Sequence, residues 1–418
     1  MQTDTHRTIE AVYRIESAKL IAGLARMVRD VGVAEELAQD ALVIALEKWP
    51  EAGVPDNPGA WLMATAKRRA IDVLRRGKRI DRKHEEIAHD AAPEAPDLVA
   101  ALDDDVGDDL LRLVFTCCHP ILSGEARVAL TLRLLGGLTT GEIARAFLVP
   151  EPTISQRIVR AKRTLADAAV PFEVPRAEDR PERLASVLEV IYLVFNEGYS
   201  ATAGDDWLRP ELCDDALRLG RILAGLVPGE PEVHGLVALM EIQASRAKAR
   251  VGPTGDPILL LEQNRARWDQ LLIRRGLAAL ARVEALGGMR GPYALQAAIA
   301  ACHARARAAE ATDWGRIAAL YSVLLDVVPS PVVELNRAVA VGMAFGPAAG
   351  LAIADTLLGY PALAGYHLLP SVRGDLLAKL GRLDEARSEF ERAATLTRNA
   401  RERELLLDRA RELSQESG

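Results

Sequence analysis

Residues 138–166, Leu138-Thr-Thr-Gly-Glu-Ile-Ala-Arg-Ala-Phe-Leu-Val-Pro-Glu-Pro-Thr-Ile-Ser-Gln-Arg-Ile-Val-Arg-Ala-Lys-Arg-Thr-Leu-Ala166, decide the reading of this chain. Ile143, Ala144 and Phe147 give a first helix one apolar stripe; Thr140 is placed to cap it, and Glu142 puts an acid in its first turn. Val149-Pro150 ends that helix, because a residue before proline is pushed out of the α region. A second helix begins near Pro152, where a missing amide proton costs nothing. Ile154, Ile158, Ala161 and Leu165 recur at helical spacing as its buried face, while Thr153, Gln156, Arg157, Arg160 and Arg163 make the other face polar and basic. Two such helices around a tight turn fit a helix-turn-helix, which lays its second helix in the major groove of DNA. A basic amphipathic helix is also what a solvated surface helix looks like, so the rest of the chain has to decide.

The chain has 418 residues, room for two or three domains with their own cores. Apolar residues make up 49% and aromatics 4%, with little β-branched alternation, so the expected fold class is all-α. A formal net charge of −7 excludes a generally basic nucleic-acid coat and confines any nucleic-acid contact to local patches. The polar first ten residues show no signal-peptide core. The uncharged run from Ala338 to Ala354 is broken by Gly342, Gly346, Pro347 and Gly350, which suits a packed hairpin better than a membrane span. Cys117, Cys118, Cys213 and Cys302 show neither a CxxC pair nor a disulfide framework. The expectation is a soluble, reduced, cytoplasmic protein without a membrane partner.

Charge divides the N-terminal part. The stretch from Lys67 to Lys83 holds nine basic residues, and the stretch from Glu85 to Asp109 holds ten acidic ones with no Lys or Arg. The acidic stretch, rich in Ala with Pro93 and Pro96, reads as a solvated linker at 84–109. Before it, helices are expected from about Thr8 to Arg29, Ala34 to Trp49 and Pro58 to Arg76. After it, they are expected from about Leu110 to Phe115 and from Gly124 to Leu135. From 171 onward, helix positions recur about every 34 residues. Gly381-Arg-Leu-Asp-Glu-Ala386-Arg-Ser-Glu-Phe390-Glu-Arg-Ala393 matches the second helix of a tetratricopeptide unit, with Gly374 and Leu377 in the first. Degenerate copies fall at Asp355 and Tyr321, and a weaker one spans 216–228. Residues 171–418 are therefore expected to stack as helical hairpins.

The third N-terminal helix opens Asp56-Asn57-Pro58-Gly59-Ala60-Trp61-Leu62 and continues Ala66-Lys67-Arg68-Arg69-Ala70-Ile71-Asp72-Val73-Leu74-Arg75-Arg76. An aromatic beside cations can stack an unpaired base while the cations hold phosphates; Trp61 can equally be a core anchor. Ahead of it lies the acidic helix Ala34-Glu35-Glu36-Leu37-Ala38-Gln39-Asp40-Ala41-Leu42. This succession of acidic helix, tryptophan-led basic helix, acidic linker and helix-turn-helix resembles the bacterial sigma factors of the extracytoplasmic-function type. Phe195-Asn-Glu-Gly-Tyr199, Leu335-Asn-Arg-Ala-Val-Ala-Val341 and Leu369-Pro-Ser-Val-Arg-Gly-Asp375 are similar to the subgroup with a tetratricopeptide-like extension, as is Thr116-Cys-Cys-His-Pro120. The resemblance implies a region 2 helical bundle at 1–83, a region 4 helix-turn-helix at 110–170 and the helical extension at 171–418.

It further implies core RNA polymerase and promoter DNA as partners. Glu36, Gln39 and Asp40 would bind the polymerase. Asn57, Trp61, Lys67, Arg68 and Arg69 would capture the melted −10 strand. Thr153, Gln156, Arg157 and Arg160 would meet the −35 element, with Lys162 and Arg163 on phosphates. Pro150 stands where many relatives have a capping serine, leaving Glu151 or Thr153 to cap the recognition helix. For the extension, a polar face of Asn336, Arg337, Arg373 and Asp375 is expected to serve a partner or an intramolecular contact with the sigma regions. An ion-pair network between repeats is the plainer reading of those four.

Cys117-Cys118-His119 invites a metal, but adjacent cysteines on a helix point about 100° apart and no second ligand pair stands at zinc spacing. A buried structural role, without metal or cofactor, is the expectation. Walker A, HExxH and Gly-x-Ser-x-Gly signatures are absent, so no enzyme is expected. The competing reading is a helix-turn-helix regulator fused to a repeat scaffold, which would have no use for the acidic helix and the Trp61 helix.

Overall fold

The computed structural model describes residues 2–85, 106–147, 149–199, 208–252, 257–397 and 399–416. Helices account for the secondary structure, and no strand occurs among the described residues. The chain divides into two units, 1–193 and 194–418.

In the first unit, α1 (Gln2–Val28), α2 (Val31–Ala52) and α3 (Pro58–Glu85) form one bundle. The corner between α1 and α2 is local chemistry: Arg29 takes a left-handed conformation (φ 54°), and the Asp30 carboxylate accepts from the amides of Gly32 and Val33. Leu20, Ile21, Leu24, Leu37, Trp49 and Leu62 fill the core. Helix α3 runs on past the expected Arg76 to Glu85, because Gly77 costs only about 1 kcal/mol and no proline follows to stop it. Helices α4 (Val106–Cys117), α5 (Gly124–Leu134), α6 (Thr140–Ala146) and α7 (Glu151–Asp167) follow. Arg26 of α1 and Arg112 both reach the buried Asp109 of α4, at 3.3 and 2.6 Å.

Helix α8 (Arg180–Tyr199) crosses the division between the units. Its first half packs on the C-terminal end of α4, whose last carbonyls have no helical partner. Arg183 donates to the Phe115 carbonyl (2.8 Å) and the Ser186 hydroxyl to that of Cys118 (2.7 Å). Arg127 of α5 reaches Glu189 at 3.0 Å. Residues 171–193, expected in the extension, thus belong with the helix-turn-helix because α8 completes α4.

The second unit holds α9 (Pro210–Leu226), α10 (Pro231–Ala244), α11 (Gln270–Ala285), α12 (Pro292–Arg305), α13 (Trp314–Val327), α14 (Pro331–Phe345), α15 (Pro347–Thr356), α16 (Leu368–Lys379), α17 (Leu383–Leu396) and α18 (Ala400–Glu416). From α13 onward each helix packs on the next, and Tyr321, Asp355 and Phe390 sit on α13, α15 and α17 as the 34-residue spacing anticipated. Gly381 supplies the left-handed turn (φ 76°) between α16 and α17. Gly374 lets the Phe390 ring lie so close that a Cβ would stand 2.9 Å from it.

The four thiols are buried. Burial pushes Cys118 up to about 11, Cys213 up to about 12 and Cys117 well above the usual thiol range. We expect native protein at pH ~8 to take up maleimide dye only over hours and unfolded protein within minutes. Labelling as fast as a free thiol would refute this. Since burial lets the folded Cys118 hold its proton above the usual thiol range, its contribution to stability is complete below that range and lost as pH rises through about 11.

A candidate nucleic-acid interface

The helix-turn-helix is built by its caps. Thr139, one residue before the expected Thr140, caps α6 in a reciprocal box: its hydroxyl accepts the Glu142 amide (3.1 Å) while Glu142 accepts the Thr139 amide (2.7 Å). Thr140 instead donates to Glu151 at 2.9 Å, tying the two helices together. Helix α7 starts from Pro150 without a side-chain cap, so neither Glu151 nor Thr153 fills that role. Ile154, Ile158, Ala161 and Leu165 are buried as expected.

The basic residues of α7 separate into two groups. With 100° per residue, Gln156 and Arg163 point directly away from the buried stripe, and Val159 and Arg160 lie about 50° from that direction. Arg157 and Lys162 lie only about 70° from the buried centre, one on each side. Both are accordingly engaged within the protein: Arg157 with Glu125 of α5 at 2.7 Å, and Lys162 with Glu35 of α2. The assignment of Lys162 to DNA phosphate therefore needs correction, because its ammonium sits against a buried carboxylate. Thr153 is half-buried, and Arg163 is exposed in a loose pair with Asp167 (3.3 Å). The open stripe consists of Ser155, Gln156, Val159, Arg160 and Arg163, with Val159 61% exposed. Sequence reading named the polar and basic residues of this face and passed over Ser155 and Val159; the angular position was available from the spacing of the buried residues.

Glu35 was also missed. Only 3% exposed, it accepts from Arg133 of α5 (Nε to Oε1, 2.6 Å) and from Gln39 (2.7 Å), and it pairs with Lys162. Val31, Ala34, Glu35 and Ala38 form one helical stripe, so its place among apolar residues was the signal. This carboxylate joins the α1–α3 bundle to the helix-turn-helix.

On α2, Glu36 is exposed, while Gln39 and Asp40 are half-buried and engaged, Gln39 with Glu35 and Asp40 with Arg69 of α3. Asn57 caps α3, its Oδ1 accepting the Ala60 amide at 3.1 Å. Trp61 is half-buried, its ring edge-on to that of Trp49 with centroids 5.2 Å apart. It is thus a partial core anchor with one surface left over. Lys67 is half-buried and Arg68 exposed on the same helix.

The four residues expected to share a face of the extension do not converge. Arg337 pairs with Glu334 within α14 at 2.6 Å. Arg373 pairs with Asp355 of α15 (2.9 Å) and with Glu389 of α17. Asp375, about 200° around α16 from Arg373, pairs with Lys379 and with Arg409 of α18, both at 2.7 Å. Asn336 is exposed. The plainer reading, ion pairs between neighbouring helices, describes Arg373 and Asp375.

Among the described residues no cluster of His, Cys, Asp and Glu has the makings of a metal site, and no helix is long and apolar enough to cross a membrane.

Comparison with known proteins finds three family matches along the chain. Residues 13–80 match Sigma-70 region 2 and residues 112–165 match Sigma-70 region 4. Residues 183–284 match a family of unknown function, DUF6596. An uncharacterized protein of Rhizobium meliloti, R00370, is 46% identical over 385 residues, 91% of this chain and 90% of its own length. The ECF RNA polymerase sigma factor SigK of Mycobacterium bovis is 34% identical over 146 residues, 34% of this chain and 74% of that protein. The SigK of Mycobacterium ulcerans is 32% identical over 146 residues, with 34% and 75% covered.

Proposed function

The chain belongs to the ECF family of RNA polymerase sigma factors, and we propose that it joins core RNA polymerase to direct initiation at promoters read by both of its sigma regions. In this reading Glu36, Gln39 and Asp40 of α2 bind the polymerase. Asn57, Trp61, Lys67, Arg68 and Arg69 of α3 hold the melted −10 strand, Trp61 stacking a base and the cations holding phosphates. Gln156 and Arg160 read −35 bases, for which Gln suits adenine and Arg guanine, and Arg163 holds phosphate. The observation that carries the reading is the exposed stripe on α7, open to a groove within a region 4 that follows a region 2 in the same chain. The test is run-off transcription from DNA upstream of the chain's own operon with purified core polymerase. A transcript that requires the protein supports the reading; no transcript and no core binding reject it.

The 34-residue recurrence and the Gly374–Phe390 packing support a tetratricopeptide-like extension. Its role in this proposal is regulation of the sigma regions. Truncation after Leu193 keeps Arg183, Ser186 and Glu189 on α4 and α5, whereas removal from 171 strips them away. Only the first truncation therefore isolates the contribution of the extension. Transcription unchanged by it would count against a regulatory role.

A further inference from the structure

Region 2 and region 4 are held against each other by charge. The Glu35 carboxylate of α2, 3% exposed, takes Arg133 of α5 at 2.6 Å and Lys162 of α7, so one region 2 acid holds two region 4 cations. Arg26 of α1 and the buried Asp109 of α4, 3.3 Å apart, repeat the connection with the charges reversed. The α1–α2 corner completes the contact. Asp30 and Val31 line a small crevice with Thr116 of α4 and Leu165 of α7, and a Cβ on Gly32 would stand 3.6 Å from the stem of Lys162.

Ion pairs suit a contact that has to come apart. Buried charges give up hydration when they pair, and their attraction roughly offsets that loss. Removing one partner strands the other, but separating the two surfaces returns every charge to water. Arg133 and Lys162, with 24% and 22% of their side chains exposed, already have a path to it.

The closed arrangement conflicts with reading two promoter elements at once. Arg69, proposed for the −10 strand, pairs with Asp40, which lies about 7.5 Å along α2 from Glu35. Glu35 in turn holds Lys162, within one turn of Arg160 and Arg163 on α7. The −10 and −35 surfaces are thus linked through two ion pairs, inside a compact unit roughly 40 Å across. Elements centred about 25 base pairs apart lie about 85 Å apart on B-form DNA. Folding that duplex back into half its span, well inside one persistence length, is prohibitive. The two regions therefore have to separate, and the connection through 86–105 spans roughly 70 Å at full extension.

We propose that Glu35, Arg133 and Lys162 form a latch that keeps the free chain closed and that core polymerase releases; this rests on the reading of both regions as promoter-binding and of α2 as polymerase-binding. Gln39 supplies the link. Its side-chain amide donates to the same Glu35 Oε1 (2.7 Å) that accepts from Arg133, and it is one of the residues assigned to the polymerase. A polymerase group that takes Gln39 removes a donor from a buried carboxylate and weakens the latch.

The test is resonance energy transfer in the full chain between dyes on Val73→Cys of α3 and Ala168→Cys at the end of α7, both exposed positions, the native thiols being buried. The free chain should give a separation under roughly 40 Å, and saturating core polymerase should lengthen it beyond roughly 60 Å. Glu35→Gln keeps the shape and removes the charge. With helix content unchanged by circular dichroism, it should lengthen the mean distance in the free chain and need about 10-fold less polymerase for half of the full change. Lys162→Met tests the latch from its other side and should act in the same direction. Polymerase binding is read separately, by co-elution. Binding without lengthening overturns the latch and leaves the sigma reading standing, whereas no binding rejects both. A free chain that is already extended, or distances that neither variant changes, also overturns the latch.

Discussion

Replacing Glu35 with alanine is expected to destabilise the first unit by about 3 kcal/mol, at the low end of the range for breaking a buried ion pair. The low end applies because Arg133 and Lys162 keep 24% and 22% side-chain exposure and can partly turn to water. Arg133 also retains the Leu138 carbonyl at 3.1 Å. For a unit of this size the loss corresponds to roughly 6–12 °C in thermal midpoint. A double-mutant cycle with Lys162→Met then separates the direct pair from desolvation. A drop of less than about 1 °C would show that the carboxylate does not join the two sigma regions.

Arg160→Ala is expected to reduce promoter-specific transcription by about 5- to 150-fold, the effect of losing one bidentate base contact. Arg157→Ala should reduce it by less than about 5-fold, since its partly exposed pair with Glu125 is worth at most about 1 kcal/mol and lies off the groove-facing stripe. The two variants differ by three residues on one helix and leave the net charge equally changed. A non-specific electrostatic contribution would therefore affect them alike. Run-off transcription at fixed salt, with filter binding of the holoenzyme, distinguishes the cases. Equal losses in the two variants would mean that the Arg157–Glu125 pair opens on DNA and that the angular assignment of α7 is wrong.

Much of the helix-turn-helix was legible because its signals are local. Pro150 and Pro152 mark the ends of neighbouring helices, Glu142 marks a capping box, and four apolar residues at helical spacing declare the inner face of α7. The cap itself was misplaced by one residue, since Thr139 and Thr140 are chemically alike and only the backbone at Thr139 (φ −74°, ψ 158°) distinguishes them. The α16–α17 hairpin was legible for a similar reason: Gly374, Gly381 and Phe390 each meet a steric requirement within it.

The extension's four polar residues were read as one face because they interrupt apolar stretches, but helix rotation separates Arg373 from Asp375 and sends each to a different neighbour. A stack of arginines on aromatic rings in the second unit was not legible at all. Tyr199, Arg246, Arg250, Arg265 and Trp268 are individually ordinary and come together only where the end of α8 meets the segments after α10 and before α11.

By itself, then, the sequence determined the all-α class, the helices of the two sigma regions and their order, and the inner face of α7, since each depends on contacts within a few turns of chain. Tertiary structure alone decided which cations remain open to a partner. Lys162 and Arg163 are adjacent and equally basic, yet one lies against Glu35 and the other faces outward. The physical reason is that the availability of a charge depends on the nearest opposite charge. For Lys162 that charge lies on α2, more than a hundred residues away in the chain.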